Sequence, residues 1–94
     1  RDRLRSRGLG DVYKRQNRIS RLFQESITRV DFTMNQIVLH TLPGSAQSVA
    51  FAIDHAKWAE LIGTLAGDDT ILLIAHSVED VQPILKRISD LMKD

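Results

Sequence analysis

The spacing of apolar residues switches along this chain between two periods, one near 2 and one near 3.6 residues. In "NRISRLFQES", residues 17–26, Ile19, Leu22 and Phe23 are spaced as on one helix face. That predicts a short helix or linker over 17–25. "SITRVDFTM", 26–34, sets Ile27, Val30 and Phe32 against Thr28, Arg29, Asp31 and Thr33, an imperfect alternation that predicts a half-buried strand. A turn at Asn35 and Gln36 follows, since Asn tolerates positive φ, and "QIVLHTL", 36–42, is the second strand of a hairpin. Pro43 and Gly44 stop that strand, and Ser45 is placed to cap a helix over 46–56. Val49, Ala50, Ile53 and Ala56 form its apolar stripe, and Trp58, Leu61 and Ile62 extend the pattern into a short further turn. "IGTLAG" and "TILLIA" are two strands with Asp68 and Asp69 between them, which predicts a tight hairpin. A last helix opens at Ser77 with Asp80 three residues on, close to a capping box, and buries Val81, Ile84, Leu85, Ile88, Leu91 and Met92. Pro83 interrupts it, which predicts a kink or a start nearer Gln82.

The order ββαββα predicts an α+β two-layer domain over 26–94, a four-stranded antiparallel-type sheet with helices on one face. The strand "ILLIA" is apolar throughout, and "QIVLHTL" nearly so. Strands with one wet face alternate; continuous apolar runs belong to strands buried on both faces. Two helices cover one face only. A domain of this size also buries just about 60–65% of its unfolded surface. Both arguments predict an oligomer that covers the open sheet face.

Charge changes the picture at one end. Residues 1–16, "RDRLRSRGLGDVYKRQ", hold six of the 13 basic residues and two of the 12 acidic ones, so the rest of the 94-residue chain carries seven basic and ten acidic residues. The basic end lacks apolar periodicity and resembles a translated sequencing-adapter tail more than a disordered linker or a nucleic-acid arm. It is set apart from the domain, and the native sequence upstream of Asn17 is expected to be missing. Cysteine is absent, which excludes disulfides and thiolate chemistry and fits a cytoplasmic setting. No apolar stretch approaches the roughly 18 residues of a membrane span.

Two segments carry a resemblance. "TLPGSAQSVAFAID", 41–54, and "WAELIGTLAGDDT", 58–70, with the strand that follows, are similar to the C-terminal domain of the bacterial arginine repressor family. The resemblance runs over about residues 22–92. It implies a pterin-dehydratase-like fold, trimers that pair into hexamers, L-arginine as co-repressor at the trimer–trimer interface, and DNA binding through a separate N-terminal winged helix. No segment here resembles that winged helix. The function implied is therefore the arginine-sensing and oligomerisation half of a regulator of arginine metabolism. The alternative is a structural assembly module without ligand sensing.

The residues support that expectation one at a time. Asp68 and Asp69 serve as turn residues, yet a second carboxylate adds repulsion without improving the turn. A guanidinium ligand supplies the missing cation, and its planar donors match a carboxylate bidentately. Gln47 and Asp54 are seven residues apart, on one helix face two turns from each other. Both match ligand-contact positions of the family and suit the α-carboxylate and α-amino ends of arginine. Thr64 and Ala66 match positions near the ligand, through backbone groups. His40, His55 and His76 have no metal-ligand spacing and read as surface or boundary residues. Trp58 and Phe51 read as packing, and Arg29 as surface. Neither a nucleophile triad, a phosphate loop nor a dehydratase's histidine-rich motif is recognisable. The chain reads as no enzyme, with no metal and no cofactor.

Overall fold

A computed structural model of the chain describes residues 18–93; the tail assigned to residues 1–16 lies outside them. Helix α1 occupies 18–26. The strands are β1 (Ile27–Thr33), β2 (Gln36–Thr41), β3 (Leu61–Ala66) and β4 (Thr70–Ala75). Helix α2 (Ala46–Ala56) joins β2 to β3, and α3 (Val81–Leu91) follows a short 3-10 turn at Val78–Asp80. The sheet is antiparallel with strand order β1-β2-β4-β3. This is the ββαββα two-layer architecture that the apolar spacing predicts.

Burial divides each central strand by parity. Ile37, Leu39 and Thr41 of β2, and Ile71, Leu73 and Ala75 of β4, are buried. They meet Val49, Ala50 and Ile53 of α2, Val81, Ile84 and Ile88 of α3, and Phe23 of α1 in one core. The opposite parity explains the unbroken apolar runs. Leu72 of β4 lies between Val38 of β2 and Leu65 of β3, and Ile74 between Gln36 and Gly63. Opposed residues share a face, so Val38, Leu65, Leu72 and Ile74 form an apolar strip on the side away from the core. Leu65 is 71% exposed there.

Local chemistry departs from the sequence reading at three places. The β1–β2 turn puts its positive φ on Met34 (φ 51), not on Asn35. Asn35 is tied elsewhere: its carbonyl accepts from the Ala75 N–H at 2.9 Å, and its side-chain amide donates to the Ala75 carbonyl at 3.1 Å. The second correction concerns Ser45. Its backbone is helical (φ −97, ψ −10) and its hydroxyl makes no cap hydrogen bond. A side-chain cap requires an extended backbone at that position. Instead the Asp68 carbonyl accepts from the N–H groups of Gly44 (3.0 Å) and Ala46 (3.4 Å). Pro43 and Gly44 (φ 81) form a type II turn closed by the Ser45 N–H on the Leu42 carbonyl at 3.0 Å. The third is at Ser77, whose hydroxyl donates to the Asp80 carboxylate at 3.1 Å rather than accepting a backbone N–H. Since α3 starts at Val81, Pro83 falls in its first turn, where the missing N–H has no helical partner to lose.

Candidate functional site

Helix α2 runs beside β3, an edge strand of the sheet. Its polar stripe meets that edge in two hydrogen bonds. Gln47 donates its side-chain amide to the Ala66 carbonyl at 3.2 Å. The Thr64 hydroxyl donates to Asp54 Oδ1 at 2.8 Å. Four of the six candidate residues are thus brought together along one α2–β3 seam, in two pairs about 10 Å apart along the helix axis. A cavity of about 240 Å3 opens beside the second pair, with Trp58, Leu61 and Ile62 in its wall.

Asp68 and Asp69 occupy the β3–β4 turn at the Gln47 end of that seam. Both of their backbone carbonyls accept hydrogen bonds. The Asp68 carbonyl caps α2, the Asp69 carbonyl accepts from the Thr41 N–H at 2.8 Å, and the Gly67 N–H closes the turn on the Thr70 carbonyl at 2.8 Å. Their side chains are exposed, and Asp69 accepts only the Thr70 hydroxyl at 3.1 Å among the described residues. One chain therefore places the aspartates next to Gln47 and a helix length away from Asp54 and Thr64. The turn has anchored carbonyls and exposed carboxylates, a suitable arrangement for holding a cation without rearranging the main chain.

One polar cluster near the site carries no signal in the sequence. Arg87 of α3 grips Glu60 bidentately, Nη1 to Oε1 at 2.9 Å and Nη2 to Oε2 at 3.3 Å, and lies 5.1 Å over the Trp58 ring. The guanidinium hydrogen bond, with Glu60's own backbone N–H, holds the carboxyl below its ordinary range against some desolvation. Glu60 and Trp58 sit in the loop 57–60 that leads from Asp54 to Thr64, so this clamp ties the loop to α3. The two charges are 27 residues apart, a spacing that no periodicity reveals.

A second cluster sits on the uncovered sheet face. Arg29 donates to Asp31 at 2.9 Å, and His40 Nε2 lies 3.2 Å from both the Arg29 guanidinium and the Asp31 carboxylate. Nε2 accepts from Arg29 when unprotonated and donates to Asp31 when protonated, so one tautomer satisfies one of the two contacts. No group of three or more metal-ligating side chains occurs among the described residues, and no described helix is long and apolar enough to cross a membrane.

These features define a small α+β domain with an open apolar sheet face and a polar seam between one helix and one edge strand. The chain belongs to the family "Arginine repressor, C-terminal domain", whose profile matches residues 23–90. Among curated relatives, the arginine repressor of Heliobacterium modesticaldum is 44% identical over 77 residues, covering 82% of this chain and 51% of that protein. That of Moorella thermoacetica is 47% identical over 74 residues, 79% and 49% of the two chains. That of Carboxydothermus hydrogenoformans is 48% identical over 75 residues, 80% and 50%. The chain thus spans about half the length of these relatives. Their names are those of a transcription regulator, not of an enzyme.

Proposed function

We propose that this domain senses L-arginine and assembles a transcription regulator of arginine metabolism. The observation that carries the reading is the α2–β3 seam, which groups Gln47, Asp54, Thr64 and Ala66 and ends at the exposed carboxylates of Asp68 and Asp69. Arginine is the co-repressor ligand, and no metal or other cofactor takes part. Its guanidinium pairs with Asp68 or Asp69, at roughly 1.5–3 kcal/mol per charged hydrogen bond. Its α-amino group suits Asp54, and its α-carboxylate suits the Gln47 amide. The two ends of the seam are too far apart for one amino-acid head group, which supports a site completed across subunits.

The uncovered strip of Val38, Leu65, Leu72 and Ile74 supports assembly, with trimers that pair into hexamers as the family resemblance implies. DNA is contacted by a winged-helix domain in the other half of the full-length protein, which works in the cytoplasm. Calorimetry with L-arginine against L-citrulline tests the pairing. Citrulline keeps the shape and lacks the side-chain charge, so equal affinity for both sinks the carboxylate–guanidinium mechanism.

One observation favours a second reading. Asp54 and Gln47 already have partners within the chain, at Thr64 and Ala66, so both side chains are paired without a ligand. A structural assembly module that does not sense arginine fits that fact. Sedimentation with and without arginine separates the two, since an oligomer indifferent to arginine favours the module.

A further inference from the structure

Trp58 stands in the wall of two cavities. One, of about 240 Å3, is shared with Asp54 and Thr64; the other, of about 210 Å3, is shared with Phe23 and Arg87. A large ring bordered by cavities on two sides gets little of its orientation from close packing. Arg87 supplies what packing leaves out. Its guanidinium lies 5.1 Å over the ring while its two terminal nitrogens hold Glu60, at 2.9 and 3.3 Å. A planar guanidinium serves a carboxylate with its edge and an aromatic ring with its face, which an ammonium does not do at once. The main chain links the ring to both members of the polar pair. The Lys57 N–H donates to the Asp54 carbonyl at 3.3 Å, and the Leu61 N–H donates to the Trp58 carbonyl at 3.1 Å, three residues before Thr64.

We propose that Arg87 is a positioning residue of the ligand site: through Trp58 and Glu60 it fixes the loop 57–60, and with it the Asp54 and Thr64 end of the seam. This rests on the reading of that seam as an arginine site. Arg87 acts from behind the ring, since it lines the second cavity and not the first. The Thr64 hydroxyl aims the Asp54 carboxylate through one hydrogen bond of 2.8 Å, so that aim depends on where β3 starts relative to the end of α2. The four-residue loop sets that offset, and the clamp holds the loop. A change at Arg87 therefore loosens the pair without removing any group that a ligand meets, and binding then bears the cost of ordering it.

The test combines calorimetry with fluorescence on the full chain. Trp58 is the sole tryptophan, so its emission reads the wall of the cavity directly. In the wild-type chain that emission is expected to shift with added L-arginine and to saturate at the affinity that calorimetry gives; saturated binding with unmoved emission overturns the proposal. Arg87→Lys keeps the charge and gives up the planar fork. It is expected to bind arginine about fivefold more weakly with unchanged circular dichroism. Asp54→Asn keeps an acceptor for Thr64 and completes a double-mutant cycle. Because Arg87 acts through the pair, Arg87→Lys is expected to cost little further affinity in the Asp54→Asn background. The same loss in both backgrounds, as a merely structural role gives, overturns the proposal, and so does wild-type affinity in Arg87→Lys. Glu60→Gln loosens the clamp from its other side and carries the same cycle where Arg87→Lys does not fold. A wild-type chain that binds no arginine overturns the underlying site reading instead, and calorimetry on that chain alone tells the two failures apart.

Discussion

Asp69 carries the sharpest expectation at the residue scale. Its carbonyl is committed to Thr41 while its carboxylate, among the described residues, has only the Thr70 hydroxyl. Asp69→Asn therefore keeps the turn and removes the charge, and arginine affinity is expected to fall roughly tenfold or more by calorimetry. Unchanged affinity rules Asp69 out as a principal ligand. Met34 is a different case. It is 73% exposed and holds φ 51, a conformation that non-glycine residues avoid and that Asn tolerates best. Met34→Asn is expected to stabilise the chain by about 0.5–1 kcal/mol in urea titrations. The pattern of apolar residues locates this hairpin but not the residue that bends, because Asn35 is claimed by Ala75 on another strand. Long-range partners of this kind leave no trace in local spacing. The same holds for Ser45, displaced as a cap by a carbonyl 23 residues further on.

Elements are where the sequence is most legible. Two periods, a Pro-Gly break and the acidic turn place every strand and both helices that follow them, because burial parity and helical stripes are written directly in residue order. The candidate residues on α2 and β3 are legible as a motif; that they pair as Gln47 with Ala66 and Asp54 with Thr64 follows only from α2 lying against that edge. The Glu60 and Arg87 clamp is the part that spacing conceals. Its acid response has a definite sign. Glu60 has a lowered folded pKa, so its contribution is full above the ordinary glutamate value of about 4.3 and is lost as pH falls through the lower folded value. Thermal melts from pH 6 to 3 are expected to show this loss in the wild type. Glu60→Gln is expected to melt lower at neutral pH and to lose that part of the acid slope. Equal slopes in the two proteins count against the clamp.

Across the whole molecule, the sheet's second face is the feature to test. Val38, Leu72 and Ile74 are only half-buried and Leu65 is largely exposed, so the strip is apolar surface that one described chain leaves open. Leu65→Lys places a charge on it without touching the core. Sedimentation is expected to show the variant shifted to smaller species, while its circular dichroism stays that of the wild type. A variant that assembles normally removes this strip from the interface. The Arg29, Asp31 and His40 cluster lies on the same face by register, since Arg29 opposes His40 and Asp31 opposes Val38. It gives the apolar strip a polar margin on the β1 side, where a docked surface meets charge instead of hydrocarbon.

The turn that holds Asp68 and Asp69 is bolted by its carbonyls to three amides: Thr41 at the end of β2, Gly44 in the Pro-Gly turn, and Ala46 at the start of α2. Whatever steadies or disturbs that turn is written into those amides as well as into its side chains. They make a built-in gauge. Hydrogen exchange at Thr41, Gly44 and Ala46 reads the state of the charged turn from the main chain behind it, and the helix that carries Gln47, Phe51 and Asp54 begins at the last of the three.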